Sequence, residues 1–247
     1  MSGVVAAGRR VLPRGYLDLG RQLVIWVGFY FAYLGARGLA DRDPTKAFLN
    51  GFRVIAFEQR TTHHLFEQTT QRIADSSHLL LTAAAWTYWN SELTVISAAL
   101  LWTYLRRHER FARFRNAVLL ANVIGLVGYV FVPTAPPWMY PYLFVDGVNH
   151  SSGLVSALAN PYAAMPSLHA ADALIVGICL FQACRRWYFR AIWALWPAWV
   201  WFCVMATANH YLLDVVAGIA VGLFAMLVVS RVSRRQAGKA AGIANLL

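Results

Sequence analysis

Charge is scarce in this chain: only 13% of its 247 residues are Asp, Glu, Lys or Arg, against 59% hydrophobic. A soluble globular domain carries about 25% charged residues. An ordinary water-soluble helical fold is thereby excluded, and a bilayer becomes the expected solvent. Acidic residues are scarcer still, 11 against 22 basic, for a net charge of +11. In a soluble protein that excess would point to nucleic acid. Here the basic residues gather at the ends of apolar runs and the aromatics sit within or beside those runs, so no nucleic-acid partner is expected. Cysteine is nearly missing: Cys179, Cys184 and Cys203 lie in or beside apolar segments and read as small hydrophobes. Neither a disulfide framework nor a CxxC metal pair is present. Internal repeats are absent as well, and only the last dozen or so residues resemble a disordered tail.

What is present is a series of long apolar runs. A spanning helix needs about 20 apolar residues, and six runs approach that length: Gln22 to Leu39, Leu79 to Leu105, Ala117 to Val132, Leu168 to Cys184, Ala191 to Ala208, and Tyr211 to Ser230. The second is long and carries Asn90 and Glu92, which predicts a tilt or break near Trp89-Asn90-Ser91 and polar side chains turned toward the bundle. The first follows four arginines and ends in Gly38-Leu39-Ala40, like a signal peptide. Its apolar stretch exceeds the ~7 to 15 residues of a signal core, so a retained span is expected. Between the first two runs, Asp41 to Ser77 mixes charge with Phe48, Phe52, Ile55, Phe57, Leu65 and Phe66, as an interfacial helical segment does. The expected fold is all-α, a six-span membrane bundle over residues 22–232, with cytoplasmic segments at 1–21 and 233–247.

Lys and Arg near span ends resist translocation. Sixteen of the 22 fall on one side, in clusters at Arg9 to Arg21, Arg106 to Arg115, Arg185 to Arg190 and Arg231 to Lys239. Both termini are therefore expected in the cytoplasm of a multi-pass cell-membrane protein. Arg106-Arg107-His108-Glu109-Arg110 invites a reading as an anionic-lipid site, but orientation alone accounts for it.

That topology puts two polar patches on the same outer face: Pro161 to Ala170, containing Ser167 and His169, and Ala208 to Asp214, containing Asn209 and His210. In a helix, residues four apart share a side, so Asp214 is expected to accept the Nδ1 proton of His210 and leave Nε2 free. Such an imidazole is a competent nucleophile toward phosphorus, and His169 can protonate the departing oxygen. The N-termini of the fourth and sixth spans would cradle the phosphate, with Pro166 in the first turn and Ser167 as a cap or phosphate contact. Metal binding by His169, His210 and Asp214 is a third option, since these are zinc ligand types; against it, Asp at i+4 serves ring orientation equally well. A proton-coupled transporter or lipid-binding protein is the rival class, but such folds show repeats and a mid-membrane site.

Pro133 to Trp138 (PTAPPW), Pro166 to His169 (PSLH) and His210 to Asp214 (HYLLD) resemble the three signature blocks of the type 2 phosphatidic acid phosphatase superfamily, and within it the inositol phosphorylceramide synthase branch. The resemblance covers roughly residues 20 to 230. It implies a phosphohistidine mechanism without metal or cofactor, in which His210 attacks, Asp214 orients it, and His169 acts as acid and then base. The implied partners are a lipid phosphate or phospholipid substrate, membrane lipids and, for a transferase, an alcohol acceptor. The usual Arg six residues before the second His is replaced by Val204, and the Lys and Arg of the first block are missing. Phosphate charge must then be met by Arg42, Lys46, Arg53, Arg60, Ser167, Asn209 or helix N-termini. Trp138, Tyr140, Tyr142 and Tyr162 read as an interfacial belt or as contacts for a sugar or polyol head group. Asp172, one turn past His169, balances a bound cation, hydrogen-bonds that ring or is simply a helix N-terminal charge.

Overall fold

A computed structural model describes residues 12–40, 43–148, 150 and 162–244. Among the described residues the structure is helical, apart from one isolated parallel bridge between Thr134 and Ala163. The helices are α1 (Gly15–Ala40), α2 (Pro44–Thr62), α3 (Phe66–Asp75), α4 (His78–Asn90), α5 (Ile96–Arg106), α6 (His108–Phe131), α7 (Leu168–Ala183), α8 (Trp187–Ala206) and α9 (Leu212–Ala244). Three of them are long and apolar enough to cross a membrane, at His108–Phe131, Trp187–Ala206 and Leu212–Gly238, and α7 is a shorter apolar helix.

Helix ends run past the hydropathy boundaries at the charged ends, while α8 stops at Ala206, short of Ala208. Helix α1 begins at Gly15 rather than Gln22, and α9 continues through residues 233–244, where a disordered tail was expected. Ala, Arg, Gln and Lys are strong helix formers, so helix outlasts hydrophobicity at the charged ends. The predicted interfacial segment forms α2 and α3; Arg42 lies outside the described residues. Asp43 caps α2 by accepting the Lys46 N–H at 2.9 Å, with Pro44 at the first helical position. The break expected near Trp89 to Ser91 is a π-helical segment over Ser91–Val95 that joins α4 to α5 without ending the helix.

Helix α7 is the central element, packed against α6, α8 and α9. Glycine makes its close approach to α9 feasible. A Cβ at Gly218 would run into the Ser167 carbonyl, and one at Gly222 would lie 3.0 Å from the Ala171 carbonyl. Small residues four apart let two helix backbones touch in an apolar medium. Beneath that contact, Ile175, Val176, Leu180 and Ala225 join Phe114 and Val118 of α6 in the largest apolar cluster.

Candidate active site

The two histidines meet at the shared end of α7 and α9. Their ring centroids lie 5.6 Å apart at 58°, and His210 is 4% exposed. Three loop segments hold them. The Thr134 carbonyl accepts the Ala164 N–H at 3.2 Å, and the Ser167 N–H donates to the Asp214 carbonyl at 3.0 Å. The Tyr211 hydroxyl donates to the Ala135 carbonyl at 3.0 Å, and the Trp138 N–H donates to the Ala208 carbonyl at 2.9 Å. Backbone hydrogen bonds, with the Tyr211 hydroxyl, thus knit the three sequence blocks and their flanking residues into one floor. Ala208 adopts φ 56° just ahead of His210, a left-handed conformation that costs a non-glycine residue about 1 kcal/mol or more.

His210 departs from expectation in its partner. Its Nδ1 lies 2.8 Å from the Ala164 carbonyl and 3.6 Å from Asp214 Oδ2. A carbonyl can only accept, so Nδ1 carries the proton and Nε2 is the free lone pair. The expected tautomer is present, imposed by a backbone oxygen rather than by the carboxylate. Asp214, fully buried, instead turns Oδ2 back to the Tyr211 N–H at 2.9 Å, as the third residue of a capping box does. Burial pushes the His210 imidazolium down to about 4, against the opposing pull of the Ala164 carbonyl and Glu92. At neutral pH the ring is therefore uncharged and nucleophilic.

His169 is held from one side of the bundle. The Tyr88 ring stacks on it at 4.7 Å and 17°, and Glu92 Oε2 lies 3.5 Å from its Nε2. Both come from the helix that carries the π segment. The extra residue of a π-bulge rotates the side chains after it, and such bulges concentrate at functional sites. The sequence marked Glu92 only as a polar residue facing inward; that it faces His169 depends on the bulge. Asp172 does not reach His169: its Oδ2 accepts from Asn122 Nδ2 at 2.8 Å.

The expected phosphate contacts are largely engaged elsewhere. Ser167 Oγ accepts the Ala170 N–H at 3.2 Å and caps α7. Pro166 precedes that cap rather than entering the first turn. Asn209 Nδ2 donates to the Thr207 hydroxyl at 2.9 Å and carbonyl at 3.2 Å. Lys46 Nζ donates to the Phe131 carbonyl at the end of α6, and Arg53 donates to Asn50 Oδ1 at 3.4 Å. Arg60 is exposed near the end of α2. Tyr140 donates to the Phe48 carbonyl at 2.6 Å, and Trp138 stacks on His150 at 4.2 Å.

The two helix N-termini are not equivalent. At α9 the Leu212 N–H donates to Glu67 Oε1, the Leu213 N–H donates to Glu58 Oε1 at 2.7 Å, and the Tyr211 N–H is taken by Asp214. Three carboxyl groups thus cover the amides expected to cradle a phosphate, which corrects that expectation for α9. At α7 only the Ala170 amide is taken by the cap, and the Leu168 and His169 amides meet no acceptor among the described residues.

The PAP2 superfamily sequence model matches residues 53–228, which contain all three blocks. The chain belongs to the PAP2 superfamily. With three helices long and apolar enough to span a bilayer among the described residues, it is a membrane protein. A phosphoinositol dihydroceramide synthase of Bacteroides thetaiotaomicron is 28% identical over 143 residues, 50% of this chain and 47% of that protein. An inositol phosphorylceramide synthase of Candida albicans is 24% identical over 122 residues, 41% of this chain and 26% of that one. The match therefore spans about half the length of the first relative and a quarter of the second. The crystal structure of Aquifex aeolicus LpxE superposes with a TM-score of 0.53 over 66% of this chain and 93% of that one, at 19% identity. That last likeness is one of fold.

Proposed function

We propose that this PAP2-superfamily protein transfers or hydrolyses the phosphate head group of a membrane lipid through a phosphohistidine on His210, at the extracytoplasmic face. The observation that carries the reading is the His169–His210 pair, with Nδ1 of His210 tied to a carbonyl and Nε2 left free. The Nε2 lone pair attacks phosphorus, and the P–O bond to the leaving group breaks. The departing oxygen keeps the electron pair and takes a proton from His169. An acceptor hydroxyl then attacks phosphorus, the P–N bond breaks, and His169 recovers a proton. Asp214, 3.6 Å from the ring, stabilises the cationic ring of the intermediate. The Leu168 and His169 amides, which meet no acceptor among the described residues, and the positive end of α7 receive the phosphoryl oxygens, with Arg60 as the candidate side-chain cation.

In the proposed topology the six spans are α1, the joined α4 and α5, α6, α7, α8 and α9, while α2 and α3 lie on the outer interface. Both termini are then cytoplasmic, as the Arg clusters require. Transfer to an alcohol is favoured over hydrolysis by the two relatives, both synthases by name. It is favoured too by Glu92 and Asp214 beside the rings: carboxylates repel a doubly charged phosphomonoester more than a singly charged phosphodiester.

The test is incubation of detergent-purified protein with radiolabelled lipid phosphates and phosphodiesters, with and without a polyol acceptor. Free phosphate is then separated from transferred head group, and a transporter would yield neither. Replacing His210 by Ala should reduce both products to background; near-normal turnover in that variant overturns the nucleophile assignment.

A further inference from the structure

Glu58 on α2 and Glu67 on α3 play no part in the chemistry just described, yet both are buried, at 3% and 0% exposure. Each uses one oxygen to accept an amide of the first turn of α9: Glu58 from Leu213, Glu67 from Leu212. The second oxygens, Glu58 Oε2 and Glu67 Oε2, are buried without a donor, and because the two groups accept successive amides of one helical turn they are held as neighbours. Two carboxylates cannot bond side by side; a carboxylic acid and a carboxylate can, with one proton between them. The titratable groups facing the pair are Asp214 on α9 and the phenol of Tyr211 ahead of it, both of which disfavour added negative charge. Among the described residues no Lys, Arg or His faces it.

We propose that Glu58 and Glu67 are positioning residues that share a single proton and, through it, lock the interfacial helices to the first turn of α9, fixing His210. Loss of the proton leaves two buried anions in contact beside Asp214, and the lock opens. Burial and then the neighbouring Glu67 charge raise the Glu58 carboxyl to about 8. A carboxyl raised in the folded state contributes stability that is present at low pH and is lost as pH rises toward and through about 8. The role in positioning rests on the reading of His210 as nucleophile; the proton-dependent lock does not.

Two measurements on the full chain in detergent test it: turnover of an aryl phosphodiester from pH 6 to 10, and the thermal unfolding midpoint over the same range. For the native protein, turnover at pH 9 should be about one-tenth of its plateau, as titration near 8 implies, while the midpoint should fall from pH 6 to about 8 and level off above it. In Glu58→Gln the amide keeps the acceptor for Leu213 and donates a permanent hydrogen bond to Glu67. The alkaline loss should then shrink to less than about 2-fold, and the midpoint should flatten with pH. Glu67→Gln makes the reciprocal pair and predicts the same outcome should the first variant fail to fold. Alkaline limbs and midpoint slopes superimposable on the native protein in both variants overturn the proposal. Repeating the midpoint series in His210→Ala separates the two readings, because the slope survives there even if the catalytic assignment fails.

Discussion

Helix α7 begins beneath a serine and helix α9 beneath three carboxyl groups. Each carries a histidine at or just before its first turn, and each has the positive end of a helix dipole beside the site. At α7, Ser167 satisfies one amide and leaves Leu168 and His169 unpaired among the described residues. At α9, Asp214, Glu67 and Glu58 take three successive amides. A helix N-terminus binds an anion only while its amides are free. The α7 end is therefore suited to receive phosphate and the α9 end to immobilise a nucleophile. Burial reinforces the division: His210 has a carbonyl and a carboxylate for neighbours, whereas His169 has an aromatic face and the partly exposed Glu92.

This contrast can be broken most severely at His169. If it is the acid for the leaving oxygen, His169→Ala should lower turnover of an alkyl-leaving lipid substrate by roughly 100- to 10,000-fold. The same variant should lose far less with a nitrophenyl ester, whose leaving group needs no proton. Equal losses with both substrates would assign His169 to binding instead. Asp214→Asn sharpens the other side. Where a carboxylate fixes the histidine tautomer, the amide costs about 10,000-fold. Here the Ala164 carbonyl fixes it, so the loss in turnover should fall well short of that figure. A full-sized loss would mean that Asp214 governs the ring after all. The smallest effect belongs to the cap: Ser167→Ala should lower stability by about 1 kcal/mol, seen as a lower unfolding midpoint in detergent. Because the amides proposed to hold phosphate are Leu168 and His169, KM should move little, and a large rise in KM would return Ser167 Oγ to the phosphate contacts.

Much of the architecture was legible from hydropathy because the bilayer imposes one length scale on every span. The apolar runs reappear in α1, α6, α7, α8 and α9, and the polar interruption at Asn90 to Glu92 reappears as the π segment. Helix ends were less legible, since Arg, Lys and Ala favour helix without being apolar. Of the site, His169, His210 and Asp214 stood out because ionisable residues at membrane depth are few. Among the outer cations, Lys46 bonds the Phe131 carbonyl at the end of α6 and Arg53 bonds the Asn50 side chain, partners that only the folded chain brings within reach. Glu58 and Glu67 looked like ordinary charges on interfacial helices, since spacing along one chain says nothing about which distant amide a carboxylate will meet.

The sequence by itself determined the apolar character, the helical class, the basic clusters at the span ends and the candidate reactive side chains, because each follows from composition or from spacing within one helix. Only the tertiary structure decided which oxygen holds the His210 proton, which helix end stays open to an anion, and that Glu92 faces His169. Those outcomes depend on backbone atoms and side chains from separate segments, brought together where Gly218 and Gly222 let α9 close on α7.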